Sequence, residues 1–413
     1  MPGASGPEMS GDARRGSPGP VLVVSDVAPD EASANGFAPR LSALLAALAA
    51  RSEVELVVPA AGGSRATPST GPGEWRRTVV DVGRSRLAGP LFKLYHYTAD
   101  PLPYMCEVRR YGAVSDVIAA RRPALVVLYL PYLAHLARSV PVDVPVVFAL
   151  EEGWERMYAT GAAGPARRWA RRSEEARLQR LYQAVSRRAA AVVVISEAER
   201  RHFERLVEPS LLEVVPHGVD VGYFSPAGTQ DEDLDVGVFG DLTQGRNLSA
   251  AIDVYRAAEA EPSDAPPWRW AFVGRSDGPL RAAVRSTTDV VTGLVPDLRP
   301  WYERSRVVLV PATQGTGVKT TLLQAWAMGR PVVASRFATA GVAVADGVNA
   351  LVAGSPSDAV HLCGRLLGDE SLRRRLGRAG RETALRHHQL ADVAGWFADV
   401  CRRAAGDVLE AGR

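Results

Sequence analysis

The sequence predicts an α/β protein of two doubly wound domains, each a parallel sheet with helices on both faces. Three observations carry that expectation. Short apolar runs rich in Val, Ile and Leu alternate with helical patterns from Val21 onward. The alternation breaks once, in an acidic stretch without periodicity, and then restarts. At 413 residues the chain is long enough for two separate cores.

Residues 1–20 are rich in Gly, Pro and Ser and lack apolar periodicity, so they read as a disordered leader. A buried-type strand begins at Val21, and a loop holding Asn35 and Gly36 leads into an apolar-rich helix around Phe37 to Arg51. Next come a strand at Val54 to Val58, a loop-rich stretch, a helix near Val108 to Arg121 and a strand at Leu125 to Leu128. A helix near Tyr132 to Arg138 and a strand at Val144 to Ala149 follow. A long helix through Arg167 to Arg188 feeds a strand at Ala191 to Ile195, and Ser196 with Glu199 fits a capping box. A strand at Leu211 to Val215 closes the first domain, 21–216, and 217–235 reads as linker. The second domain, 236–390, carries strands near Asp235, Trp270, Asp289, Arg306, Pro331 and Ala350. Residues 391–413 read as a C-terminal helix packing back toward the first domain.

Composition excludes several classes. Hydrophobic residues make up 46% and charged residues 23%, ordinary values for a globular protein. A net charge of +3 is too small to argue for nucleic acid. Cys106, Cys363 and Cys401 lie far apart without metal-ligand spacing and read as buried thiols in a reducing compartment. No apolar run approaches the roughly 20 residues that span a bilayer, and the N-terminus has no basic-then-apolar signal pattern. The expectation is a cytoplasmic protein.

The most informative stretch is Val307 to Ser335, which reads as strand, glycine turn, helix, strand. Gly315 and Gly317 let backbone approach a ligand, a helix start offers free N–H groups to a diphosphate, and Lys319 adds a mobile positive charge. The phosphate-loop ATPase motif needs Gly directly before Lys, and here Val318 intervenes.

The continuation Gln324-Ala325-Trp326-Ala327-Met328-Gly329-Arg330-Pro331-Val332-Val333 resembles the signature of retaining nucleotide-sugar glycosyltransferases with the GT-B architecture, the group 1 or family 4 type. Val193 to Ala198 is similar to the strand-to-helix step that closes their acceptor domain. Val215-Pro216-His217-Gly218-Val219-Asp220 with Phe224 and Pro226 looks like their interdomain segment, with His217 where Asn is usual. Ala271 to Arg275 and Val291 to Asp297 resemble the segments that face the nucleotide. The resemblance implies two Rossmann-like domains facing across a cleft, a nucleotide diphosphate sugar as donor, and transfer with retention and no metal.

Residue by residue, it implies that Gly315, Thr316, Gly317, Val318 and Lys319 hold the diphosphate, with Asn35, Gly36, Gly240, Arg275 and Val295 also facing the donor. Arg246 stands where a second basic residue is usual, whereas Asp241 replaces an Arg and would repel phosphate unless it points away. The paired glutamates of many members are missing: Thr316 stands near the first and Gln324 at the second, where a neutral acceptor weakens a hydroxyl bond by roughly 1 kcal/mol. Glu151 and Glu152 follow the strand ending at Leu150 and would bind or deprotonate an acceptor, or equally form a solvated loop.

The expected activity is hexose-type transfer to a polysaccharide, lipid-linked or small-molecule acceptor. The rival is a non-catalytic module that binds a nucleotide or a partner. Arginines from Arg167 to Arg188 would suit peripheral contact with anionic lipid, though a solvated basic face explains them better. Phe92, Tyr95, His96, Tyr97 and Tyr104 would suit an aromatic acceptor or packing around a loop.

Overall fold

The computed structural model describes residues 19–26, 29, 37–60, 69–70, 75–81, 112–151, 176, 179–228, 231–243, 245–261, 267–276, 278–313 and 318–406. They form two sheets. The first has the strand order β3-β4-β2-β1-β5-β6-β7-β8, from β1 (Val21–Val24), β2 (Val54–Ala60), β3 (Ser69–Thr70), β4 (Arg76–Asp81), β5 (Leu125–Tyr129), β6 (Val146–Glu151), β7 (Ala191–Val194) and β8 (Leu212–Val214). Every pairing is parallel except β3 with β4. β1, β5, β6 and β7 are buried along their length, which is why they read as continuous apolar runs.

The second sheet has the order β11-β10-β9-β12-β13-β14 and is wholly parallel. Its strands are β9 (Leu234–Phe239), β10 (Trp270–Val273), β11 (Val290–Gly293), β12 (Ser305–Val310), β13 (Val332–Ser335) and β14 (Leu351–Ala353). Counted within the sheet this is 3-2-1-4-5-6, and the chain changes direction of winding between β9 and β12. A crevice opens at the carboxyl ends of strands at such a switch point.

The helices are α1 (Phe37–Ala49), α2 (Gly112–Arg121), α3 (Glu197–Phe203), α4 (Gly245–Ala260), α5 (Gly278–Ala283), α6 (Arg299–Arg304), α7 (Thr320–Ala327), α8 (Pro356–Gly368), α9 (Glu370–His387) and α10 (Leu390–Ala405). Ser196 caps α3 by accepting the Glu199 amide at 3.1 Å. α10 follows the second domain in sequence but buries Val393, Phe397, Val400 and Cys401 in the core of the first. The acidic stretch leading into β9 is tied down by ion pairs: Arg304 to Asp233 at 2.7 Å, Arg330 to Glu232 at 2.6 Å and, at the second residue of β9, Arg306 to Asp235 at 3.1 Å.

Four elements differ from the sequence reading. β3 and β4 fall in the stretch read as loop, because β3 is two residues long and β4, next to it at the margin of the sheet, has the sequence RRTVVD, whose leading charges and mostly half-buried positions mask its short apolar run. The segment read as a helix near Tyr132 is a 3₁₀ helix, Pro131–Ser139, wedged behind β5 and β6. β6 continues through Glu151, two residues beyond the expected end. No helix among the described residues is long and apolar enough to cross a membrane.

Candidate functional site

At the switch point of the second sheet three neighbouring strands end in glycine with left-handed backbone: Gly240 (φ +125°), Gly274 (φ +125°) and Gly293 (φ +76°). The Gly240 amide donates to Val273 O at 3.0 Å and the Gly274 amide to Gly293 O at 3.1 Å. The packing is so close that a Cβ on Gly274 would lie 2.1 Å from the Gly240 carbonyl oxygen. The carboxyl ends of β9, β10 and β11 therefore form a closely packed glycine floor, in which Gly274 is buried with its amide also 3.3 Å from the Thr292 hydroxyl, and Gly240 and Gly293 are half-buried.

Asp241, expected to repel an anion, has another use. Its Oδ1 accepts from the Thr243 amide at 3.0 Å and the Thr243 hydroxyl at 2.6 Å, and Asn247 donates to its carbonyl at 3.1 Å. It builds the turn from β9 into α4. Arg275 is exposed beside this floor, and its carbonyl accepts from Leu242 N at 2.7 Å. Val295, just past β11, is half-buried against the second-domain core.

Across the floor stands α7. Thr321 of its first turn comes within 3.6 Å of where a Gly240 Cβ would be, so this helix face meets the end of β9. Gln324, one turn on, shares that face. Its Oε1 accepts from Tyr302 Oη at 3.0 Å, and Tyr302 is wholly buried and stacked on Phe239 with centroids 3.8 Å apart. Burial holds the Tyr302 phenol well above its usual range, so it stays a donor. Lys319 occupies the N-cap of α7, its ammonium 5.2 Å from the centre of the Phe337 ring. Val318 is half-buried, and its Cγ2 lies 3.0 Å from the Cβ position of Gly341, which also comes within 3.4 Å of Ser196 in the first domain. Val318 thus lies where the two domains touch.

On the first domain Glu151 is not the solvent-facing carboxylate that acceptor chemistry would use. It is 0% exposed, with left-handed backbone (φ +63°), and its Oε2 lies 3.3 Å from Nε of Arg40. Burial raises its pKa and Arg40 opposes the rise. Tyr129 is buried beside the pair, and its hydroxyl is held well above the usual range, first by burial and then by the Glu151 charge. His217 is 5% exposed, and burial, with Arg40 and His388 nearby, keeps its imidazole well below the usual range. Arg40 went unread in the sequence, although a single charged residue amid the apolar helix FAPRLSALLAALA was its signal.

Asn35, Gly36, Glu152, Gly315, Thr316 and Gly317, the side chain of Arg246, the arginines Arg167 to Arg172 and the cluster Phe92 to Tyr104 lie outside the described residues. No group of three or more His, Cys, Asp or Glu among the described residues is arranged to hold a metal ion.

Residues 35–218 match the family model described as glycosyl transferase 4-like domain, and residues 234–369 match that described as glycosyl transferases group 1. The two matches do not overlap and take in more than three quarters of the chain. Among solved structures the chain is similar to sucrose-phosphate synthase from Thermosynechococcus elongatus, with a TM-score of 0.70 and 19% identity over 93% of this chain and 98% of that one. It is also similar to HepE from Anabaena, solved with UDP and glucose, at a TM-score of 0.63 and 15% identity over 92% and 98%. A glycosyltransferase from Rickettsia africae matches at a TM-score of 0.63 and 12% identity over 93% and 98%. At these identities the likeness shows the fold, the two-domain α/β GT-B architecture. A comparison with curated protein sequences gives no match.

Proposed function

We propose that this chain, which belongs to the group 1 glycosyltransferases, moves a sugar from a nucleotide diphosphate donor to an acceptor hydroxyl, with retention and without a metal ion. The observation that carries the reading is the glycine floor of Gly240, Gly274 and Gly293 beside the switch point, faced by a helix whose N-cap is Lys319. A floor of that kind admits a nucleotide against bare backbone, and a helix start with a lysine is suited to the negative charge of a diphosphate. That HepE was solved with UDP and with UDP-glucose supports the same class of donor.

In this reading the anomeric C–O bond of the donor breaks, and the glycosidic bond forms on the same face. The acceptor proton passes to the departing diphosphate. The charge that grows on the leaving group is the quantity to stabilise, and preorganised donors at Lys319 and the turn before it supply that stabilisation. Arg246 and Arg275 add positive charge. No protein base is required, which agrees with a Glu151 that is buried and ion-paired. The acceptor is a saccharide, a lipid-linked sugar or a small molecule.

Calorimetric titration with UDP, GDP, dTDP and ADP in EDTA, then with Mg²⁺, tests the reading. Selective binding of one nucleotide that survives EDTA is expected. Binding of none at millimolar concentration would replace the donor site with a partner-binding role.

A further inference from the structure

The two places where the chain passes between the domains run side by side. The Val219 amide donates to His388 O at 2.7 Å, and the Leu390 amide returns a bond to Val219 O at 3.0 Å. His388 Nδ1 lies 2.8 Å from the His217 carbonyl. One side chain of α1 reaches this double crossing: Arg40 donates to Val215 O at 3.0 Å and Pro216 O at 2.5 Å, while its Nε faces Glu151 at 3.3 Å. Arg40 is 4% exposed and Glu151 not at all.

The arrangement is costly. Leu130 (φ +87°) and Glu151 (φ +63°), at the ends of the adjacent strands β5 and β6, take left-handed backbone that side chains disfavour. Arg40, the Glu151 carboxylate and the fully buried Tyr129 are all withdrawn from water. A buried ion pair adds little stability over well-packed apolar residues, yet breaking one strands a charge. Stability alone therefore does not account for the pair, and its geometry does something else.

We propose that Arg40 and Glu151 are positioning residues that lock the double interdomain crossing to the end of β6 and so set the angle at which the two sheets face each other across the cleft. Arg40 holds both carbonyls of the first crossing only while Glu151 neutralises it. Glu151 cannot swing out to an acceptor without leaving a guanidinium buried alone. The donor reading above enters only the ligand-linked arm of the test.

Hydrogen exchange on the full chain decides the point, comparing wild type with Glu151→Gln, Arg40→Met and the apolar double variant Arg40→Met/Glu151→Leu. The amides of Val219 and Leu390 are expected to exchange about tenfold faster or more in Arg40→Met and in the double variant, with β9 and β10 unchanged. The double variant is expected to keep a wild-type melting temperature, which separates the effect from global unfolding. Unchanged protection at Val219 and Leu390 in a folded double variant would overturn the proposal. Should the double variant not fold, Arg40→Lys, which keeps the charge but loses the fork that spans two carbonyls, carries the same exchange test.

In the second arm, small-angle scattering is recorded with and without UDP. The double variant should bind UDP within about threefold of wild type but fail to reach the wild-type dimensions on binding; identical compaction would count against the proposal. If UDP binds neither protein, the donor reading fails while the exchange result still decides the positioning role. Loss of one limb of the pH–rate profile in Glu151→Gln, with exchange unchanged, would make Glu151 a base and sink the idea.

Discussion

Tyr302 donates its hydroxyl hydrogen to Oε1 of Gln324 across 3.0 Å, and that bond decides what Gln324 can offer a ligand. With the oxygen engaged, the amide NH₂ is the free end, so the helix face beside Gly240 presents donors where a glutamate would present an acceptor. Tyr302→Phe should release the amide and weaken nucleotide binding about fivefold, the effect of roughly 1 kcal/mol. Gln324→Glu should keep the Tyr302 bond and free a second oxygen, tightening binding of a nucleotide with both ribose hydroxyls several-fold. Calorimetry on the two variants checks both directions, and weaker binding by Gln324→Glu would place a phosphate, not a ribose, at this residue.

Lys319→Ala should lower affinity for the diphosphate about 10- to 100-fold, since a hydrogen bond to a charged group contributes about 1.5–3 kcal/mol. Phe337→Leu removes only the ring beneath the ammonium. It should cost about two- to fivefold, because a cation–π contact near the surface contributes about 0.5–1 kcal/mol. Titration with UDP and with uridine separates the two cases, because uridine binding should be indifferent to Lys319.

Gly240 and Gly274 share a φ of +125° but differ in the room around them. A Cβ at Gly240 meets nothing nearer than Thr321 at 3.6 Å, while one at Gly274 collides with backbone at 2.1 Å. Gly274→Ala should therefore lower the melting temperature well beyond Gly240→Ala, whose cost is the backbone strain of about 1–3 kcal/mol. A folded Gly240→Ala that no longer binds nucleotide would confirm that the floor must be bare. Full binding by that variant would move the ligand elsewhere.

Stability should fall as pH drops below the ordinary histidine range. His217 is held neutral by burial, so its folded pKa lies well below 6.5. Between that value and 6.5 the unfolded chain binds the extra proton, and stability decreases with falling pH across the window. Glu151, with a raised folded pKa, works in the opposite direction nearer its own range of 4.5 and above. His217→Asn should flatten the decline in melting temperature from pH 7 to 5 while leaving the pH 8 value close to wild type. An undiminished decline would assign it to other groups, His388 first, whose pKa burial also lowers.

The fold was legible because its strands are buried on both faces. Runs such as VLVV, LVVLY and AVVV need no partner to be recognised, and both sheets emerged with all their central strands. β4 was missed because it lies near the margin of its sheet, is mostly half-buried and begins with two arginines. Gly240 was visible too, since a positive φ narrows the choice of residue type. The consequences of Asp241 and Gln324 were not, because each depends on one partner: Thr243 two residues on, and Tyr302 in another helix.

By itself the sequence determined the two doubly wound domains, which rest on local periodicity and backbone preference. Only the tertiary structure decided that Glu151 is an interior partner of Arg40 and that Arg40 grips the interdomain crossing 175 residues away. Only it paired the side-chain oxygen of Gln324 with Tyr302. The reason is range: a helix or strand is written in neighbouring residues, whereas burial, ion pairing and the direction of a hydrogen bond arise from segments that meet only when the chain has folded.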